Sequence, residues 1–331
     1  MHANPSKNTS KVNFGAGNPS QLGLIQPKGY PPFPEDWRST WETFTGSGGT
    51  HQLFGIRHEI SPLRERPVRV LVILHGHGEH GGRYLHFPHY LRDTMDIIYC
   101  LDLPGHGRSE GNRGHIEKFD QYADDAALCI RRLRDWLGRK KCGYQIHLLG
   151  HSMGGLIALR LLQFRPDVPF RSAVISAPLL GLGIKVPLYK KLLARGISGV
   201  FGSLQMDTHL DVTQLSHDEE VQKCYQSDRL VHSLTTPRAW LEMTQAMRET
   251  LKEPLEPGCP LFFMVPTADQ IVNPEVTLEY ASKLETRSNR IKTYEGYRHE
   301  IFNEGGATAP DGVSREIGFR DLKRWLEDNS S

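Results

Sequence analysis

The sequence predicts an α/β protein: a mostly parallel central sheet flanked by helices, with a helical segment inserted late in the chain. Three observations carry this expectation. Short, almost wholly apolar runs alternate with longer amphipathic stretches. The apolar runs lack the in-out alternation of a half-exposed strand, so they suit strands covered on both faces, as in a parallel sheet. The alternation lapses between about residues 181 and 256 and then resumes. A chain of 331 residues is long enough for one large core of this kind.

Taken in order, residues 1–34 are rich in Asn, Ser, Gly and Pro and read as a mobile polar lead-in. Residues 35–180 read as the first part of the α/β core, 181–256 as a helical cap, and 257–331 as the second part of the core. The expected strands lie in "PVRVLVILHG", "DIIYCLDLPG", "YQIHLLGHS", "RSAVISAP", "PLFFMVPTAD" and "NRIKTYEG". The expected helices include "DQYADDAALCIRRLRDWLGRK", "GGLIALRLLQF", "NPEVTLEYASKL" and "SREIGFRDLKRWLEDN", with Asn273 and Pro274 as N-cap and first helical residue. Within the cap, "GIKVPLYKKLLARGISGVF" places Leu188 with Leu192 and Tyr189 with Leu193 at helical spacing. Lys190, Lys191 and Arg195 can occupy a different face. That pattern fits a helix packed on the core, a face that meets lipid, or both.

Composition narrows the function. Forty Lys and Arg against 38 Asp and Glu, mixed along the chain, leave no electrostatic footprint for nucleic acid. Cys100, Cys129, Cys142, Cys224 and Cys259 are scattered, as reduced core thiols would be, without the spacing of a zinc site or a disulfide framework. No secretory leader or membrane-length apolar run is present, so a cytoplasmic protein is the default expectation.

The chemistry centres on "LLGHSMGG". Gly150-His-Ser152-Met-Gly154 stands between a strand pattern and a helix pattern, where a serine on a sharp turn needs small neighbours on either side. A serine hydroxyl is a weak nucleophile unless a histidine takes its proton, and that histidine needs an acid to set its tautomer. Asp269 follows the strand in "PLFFMVPTAD" and His299 follows the one in "NRIKTYEGYR", which gives the chain order Ser, Asp, His that this kind of turn requires. The oxyanion of acyl transfer would be held by the amide of Met153, at a helix start, and by the amide of His77 after "VLVILHG". Only the His77 backbone is needed for that role, so its side chain is expected to be optional.

Two other patterns compete. Residues 76–81, "GHGEHG", match Gly-x-Gly-x-x-Gly after a strand, with Asp102 placed as a ribose-binding acid. "HGHGEH" is also similar to a His-x-His-x-Asp-His metal-ligand run, with Glu79 in place of the Asp. The first leaves the serine turn without a purpose. The second lacks the usual Asp and a downstream ligand set.

Together, "HGHGEHGGRY", "DLPGHGRSEG", "GHSMGG", "ADQIVNP" and "YRHEIFNE" resemble the monoglyceride lipase and lysophospholipase-like (serine aminopeptidase S33-like) branch of the α/β-hydrolase superfamily, over about residues 50–328. The resemblance implies the α/β-hydrolase fold, with Ser152 as nucleophile, His299 as base, Asp269 as orienting acid, and His77 and Met153 as oxyanion donors. It implies no cofactor and no metal. His75, Glu79, His80 and Arg83 are then supports of the oxyanion loop. The chain departs from the family pattern at Pro266, where Gly is common, and at Arg229, where Pro is usual.

The resulting expectation is a serine hydrolase cleaving esters of single-chain lipids, monoacylglycerol foremost, with peripheral membrane contact through the cap. Lysophospholipase or general carboxylesterase activity is the nearest alternative. A metal-dependent hydrolase, or a ligand receptor that retained hydrolase residues, represents the other classes.

Overall fold

Residues 13–17, 19–140, 143–183, 201–253, 255–284 and 288–330 are described by a computed structural model of the chain. Its strands are β1 (Asn13–Gly17), β2 (Trp37–Thr45), β3 (Gln52–Ile60), β4 (Val68–Leu74), β5 (Ile97–Asp102), β6 (Tyr144–His151), β7 (Ser172–Ser176), β8 (Met206–Asp207), β9 (Leu234–Thr235), β10 (Leu261–Pro266) and β11 (Arg290–Tyr294). All but β8 and β9 join one sheet in the order β1-β2-β3-β5-β4-β6-β7-β10-β11. From β5 to β11 every neighbouring pair is parallel. β1, β2 and β3 form an antiparallel meander that joins β5 antiparallel.

The six parallel strands fall in the six expected runs. Five of them, β4, β5, β6, β7 and β10, are largely buried on both faces, which explains their lack of alternation, whereas the edge strand β11 alternates and leaves Ile291 exposed. In β4, Val68, Val70, Val72 and Leu74 enter the core on one face of the sheet, while Leu71 and Ile73 enter the core on the other. β10 divides likewise, with Leu261, Phe263 and Val265 on one side and Phe262 and Met264 on the other. Each such side chain contributes about 1.5–3 kcal/mol of burial.

The helices are α1 (Phe87–Leu91), α2 (Asp120–Arg139), α3 (Met153–Phe164), α4 (Glu219–Ser227), α5 (Pro237–Lys252), α6 (Pro274–Ser282) and α7 (Arg315–Asp328). α2 buries Tyr122, Ala123, Ala126, Ile130, Leu133 and Leu137, the stripe its 3.6-residue period sets. At α6 the Asn273 side chain accepts from the Glu275 amide and Pro274 opens the helix.

Three features differ from the sequence expectation. Within the lead-in, Asn13–Gly17 adds an edge strand to β2, and Gly15 lies so close to the Trp41 ring that a Cβ there would sit 2.2 Å from it. The lead-in also reaches the core further on, where the Tyr30 hydroxyl donates to Asn303 Oδ1 (2.9 Å). β2 and β3 were absent from the expected strands because an antiparallel meander mixes polar and apolar residues, as "WRSTWETFT" does. The inserted region contains helices α4 and α5 but also the antiparallel ribbon β8–β9, whose two-residue strands are too short to leave a sequence pattern. The expected stripe of Leu188, Tyr189, Leu192 and Leu193, with Lys190, Lys191 and Arg195, lies outside the described residues, as does Cys142.

The chain winds from β4 outward to β5 and then crosses to β6 on the other side of β4. In such a sheet ligands bind beyond the carboxyl ends of the strands, at the switch point.

Candidate active site

The loops that follow β4, β6, β10 and β11 meet at that edge. Ser152 stands between β6 and α3 with φ 54° and ψ −118°, a left-handed backbone conformation costly for a residue with a Cβ. Its glycines are required by contact. A Cβ on Gly150 would lie 2.3 Å from the Gly154 carbonyl oxygen, and one on Gly154 would lie 2.0 Å from that of Leu74. The strained turn exists because strand, helix and neighbouring strand touch through backbone.

Asp269, after β10, is held from both sides. Its Oδ1 accepts from the amides of Ile271 (2.8 Å) and Val272 (3.0 Å), and its Oδ2 accepts from His299 Nδ1 (2.6 Å). The carboxylate therefore sets the tautomer that leaves His299 Nε2 free to accept a proton. His299 is buried, which works to lower its pKa. The charge and hydrogen bond of Asp269, aided by Glu300 and Glu79, outweigh burial and raise the value above 6.5. Ser152 and His299 line one cavity of about 590 Å³ together with Gly76 and His77. A hydroxyl that shares a cavity with an imidazole oriented in this way is a candidate to attack a carbonyl carbon.

Among the described residues, neither the His77 amide nor the Met153 amide has a hydrogen-bond acceptor. Gly76 brings the first of these loops against the serine, since a Cβ on Gly76 would be 3.2 Å from Ser152 Cβ. The loop is braced from behind. Gly76 N donates to Glu79 Oε1 (2.6 Å), which also accepts from the Tyr84 hydroxyl (3.0 Å). Arg83 donates to Glu79 Oε2 (2.7 Å) and clasps Glu300 through both terminal nitrogens (2.6 and 2.8 Å). Burial works to raise the Glu79 pKa, but Arg83, His151 and His75 bring it down to about 2.

The residues of the competing patterns are tied elsewhere. His75 Nδ1 donates to Gly76 O (2.8 Å) and its Nε2 accepts from Leu103 N (3.0 Å). His77 Nε2 donates to Leu234 O (3.0 Å), and His80 Nε2 donates to Asp228 Oδ2 (2.9 Å). Asp102 is buried and accepts from the amides of Gly81 and Arg108 (2.8 Å each). Among the described residues no group of three or more His, Cys, Asp or Glu is arranged to hold a metal ion.

Of the rest of the cavity wall, Glu79 and Arg83 were expected as supports of the oxyanion loop, and the apolar lining was not foreseen residue by residue. Leu179, Leu182, Leu215, Trp240, Met243 and Ile271 make it apolar, and Glu79, Arg83, Tyr225 and Glu300 make one region polar. Leu215, Tyr225, Trp240 and Met243 belong to the inserted region. That region also holds the His299 loop, because Gln214 O and Leu215 O accept from the amides of His299 (3.4 Å) and Glu300 (2.8 Å). The sequence signals for these residues were the amphipathic pattern of the inserted helices, which carry Tyr225, Trp240 and Met243, and the similarity of "LSHDEEVQKCYQSDRLVH" and "TTPRAWLEM" to the cap stretch of the resembled group.

The family model described as serine aminopeptidase, S33 matches residues 65–306, most of the chain and all four loops of the site. The chain belongs to this family. Phospholipase YtpA of Bacillus subtilis is 31% identical over 242 residues, covering 72% of this chain and 91% of the relative. A monoacylglycerol lipase of Mycolicibacterium smegmatis is 26% identical, covering 86% and 95% respectively. Among solved structures, the monoacylglycerol lipase of Paleococcus ferrophilus superposes with a TM-score of 0.70 at 28% identity, over 84% of this chain and 99% of the other. This S33-family member is accordingly a serine hydrolase of the lipase and esterase type on the α/β-hydrolase fold.

Proposed function

We propose that the chain hydrolyses carboxylic esters of single-chain lipids, monoacylglycerol above all. Ser152 is the nucleophile, His299 the base, Asp269 the orienting acid, and the amides of His77 and Met153 the oxyanion donors. As Ser152 attacks the ester carbonyl its proton passes to His299 Nε2, and Asp269 stabilises the imidazolium. The tetrahedral oxyanion is held by the two amides. Its collapse expels the alkoxide, which takes the proton from His299. Water, deprotonated by the same imidazole, then releases the fatty acid from the acyl-serine.

The observation that carries the substrate reading is the character of the cavity. Its apolar wall suits one acyl chain. Among its described lining residues the one arginine or lysine is Arg83, which two carboxylates already clasp. Every oxygen of Glu79 and Glu300 in turn accepts from Arg83, Gly76 N, Tyr84 or Asn303. Among the described lining residues that leaves no arginine or lysine free for a phosphate, while Asp211, whose Oδ1 accepts from Thr213, is a further carboxylate at the wall; this favours a head group without a phosphate. The 31% identity to a protein named phospholipase makes lysophospholipid the second reading.

Residues 181–256 serve, in this reading, as the cap that roofs the acyl site and meets the lipid surface. Phe201, Leu204 and Met206 are 59%, 54% and 37% exposed there, in keeping with peripheral membrane contact. Among the described residues no helix is long and apolar enough to cross a membrane. A cytoplasmic location belongs to the same reading, and the described cysteines are unpaired.

The test is turnover across monoacylglycerols, lysophospholipids, short aryl esters and aminoacyl arylamides, with Ser152→Ala as control. Monoacylglycerol is expected to give the highest kcat/KM, and Ser152→Ala to lose about a thousandfold or more of kcat. A folded Ser152→Ala protein with near-normal turnover refutes the site. A higher kcat/KM on lysophospholipid refutes the head-group argument alone.

A further inference from the structure

We propose that the His77 side chain is a positioning residue that couples the inserted cap to the oxyanion hole. The inference rests on the reading above, in which the His77 amide is one of the two oxyanion donors.

The imidazole of His77, a residue of the cavity wall, reaches the ribbon strand β9, where Nε2 donates to Leu234 O (3.0 Å). A carbonyl only accepts, so Nε2 carries a proton and donates it to this bond. Around this bond the loop and the cap segment meet through backbone. Gly78 O accepts from His232 N (2.9 Å), and a Cβ on Gly78 would lie 2.2 Å from His232 O. His232 Nε2 donates to Gly105 O (3.1 Å), and its Nδ1 accepts from Leu234 N (3.2 Å), which aims the Leu234 peptide at the core. The rings of His77, His106 and His232 pack together with centroids 4.9–5.9 Å apart. Burial keeps all three below the usual histidine pKa, so no charge opposes the contact.

The other strand of the ribbon faces the substrate space. β8 pairs with β9, Thr208 N donates to Ser233 O (2.7 Å), and Met206, Thr208, His209 and Leu210 line the cavity. One two-stranded element thus touches the acyl site on one side and, on the other, holds the side chain whose backbone amide serves the oxyanion. The Gly76 and Gly78 on either side of His77 supply little stiffness of their own. Its side-chain bond to Leu234 O supplies the restraint that a preorganised donor needs. This replaces the expectation that the imidazole is optional.

The experiment compares His77→Leu, His77→Ala and His77→Gln with the unaltered protein and Ser152→Ala, using soluble 4-nitrophenyl butyrate. Inhibition by butylboronic acid, which forms a tetrahedral adduct on a reactive serine, is measured alongside. Loosening a donor costs less than deleting one, so His77→Leu and His77→Ala are expected to lower kcat about 10- to 100-fold with KM within about threefold. Boronate affinity should fall in parallel. His77→Gln places an amide donor near the position of Nε2 and is expected to recover most of the kcat and the boronate affinity. Wild-type kcat in folded His77→Leu, or a folded His77→Gln no better than His77→Leu, overturns the proposal. If His77→Leu does not fold, a folded His77→Gln with kcat more than about tenfold down overturns it equally. Loss of turnover in Ser152→Ala alongside unimpaired His77 variants sinks this inference and leaves the serine site standing, whereas turnover by Ser152→Ala sinks the site itself.

Discussion

Lowering the pH from 7.5 to 5 is expected to unfold this protein before its carboxylates titrate. His58, His86, His106, His147 and His151 are all buried. Burial is the largest influence on each and lowers the pKa to about 3 at His58, His86 and His147, to about 4 at His151, and well below the usual value at His106. An unfolded histidine titrates near about 6.5, so below that pH the unfolded chain binds protons that the folded chain refuses. Stability from these groups is therefore full above about pH 6.5 and declines as the pH falls toward about 4. At pH 5 His58, His86, His147 and His151 each favour the unfolded state by about 2 kcal/mol, together by about 8 kcal/mol, and His106 acts in the same direction. That is comparable to the whole folding free energy of a typical domain, about 5–15 kcal/mol. Among the described histidines with a shifted pKa His299 alone opposes the trend, because its raised pKa contributes stability below about 6.5 that is lost as pH rises through the folded value, and the Asp125 carboxyl, raised by burial, opposes it as well. Urea denaturation followed by tryptophan fluorescence at half-unit steps from pH 7.5 to 5 measures the effect, with an acid midpoint expected between about pH 5 and 6. Equal stability at pH 7 and pH 5 would falsify the burial argument.

Four further outcomes follow from the site. In enzyme shown to be folded, kcat should rise with pH through an apparent pKa above about 6.5, since His299 must be neutral to accept the serine proton; Asp269→Asn should lower kcat strongly, and an unchanged rate across pH 6–8 in the unaltered enzyme counts against His299 as base. Glu300→Leu leaves Arg83 with one of its two carboxylates and should cost about 3–5 kcal/mol in denaturant unfolding; a cost below about 1 kcal/mol refutes the structural weight given to that pair. Gly154→Ala meets the Leu74 carbonyl, so it should abolish soluble expression or destabilise by about 3 kcal/mol or more, and a stable active variant contradicts the turn geometry. Replacing Phe201 and Leu204 by Ser should reduce hydrolysis of monoacylglycerol in phosphatidylcholine vesicles far more than that of 4-nitrophenyl butyrate; equal losses would mean that the exposed cap residues do not serve interfacial access.

What the sequence determined by itself is whatever neighbouring residues enforce. Five of the six parallel strands were legible because burial on both faces makes a run continuously apolar; the edge strand β11, Arg290–Tyr294, is mixed and alternating. The serine turn was legible because the left-handed Ser152 and its backbone contacts demand Gly150 and Gly154 within a few residues. The order Ser152, Asp269, His299 was legible because each follows an apolar run that ends at the same sheet edge. Tertiary structure alone decided which distant side chains meet. Arg83 and Glu300 are 217 positions apart, His77 and Leu234 are 157 apart, and Tyr30 and Asn303 are 273 apart. A histidine in "HGHGEH" has the same composition and spacing whether it ligates a metal, binds a phosphate loop or holds a cap carbonyl. The choice depends on what the folded chain brings within about 3 Å of its nitrogens. The meander of β1, β2 and β3 escaped for a related reason: its polar and apolar residues acquire inside and outside only when paired across the sheet, and no local period announces that pairing.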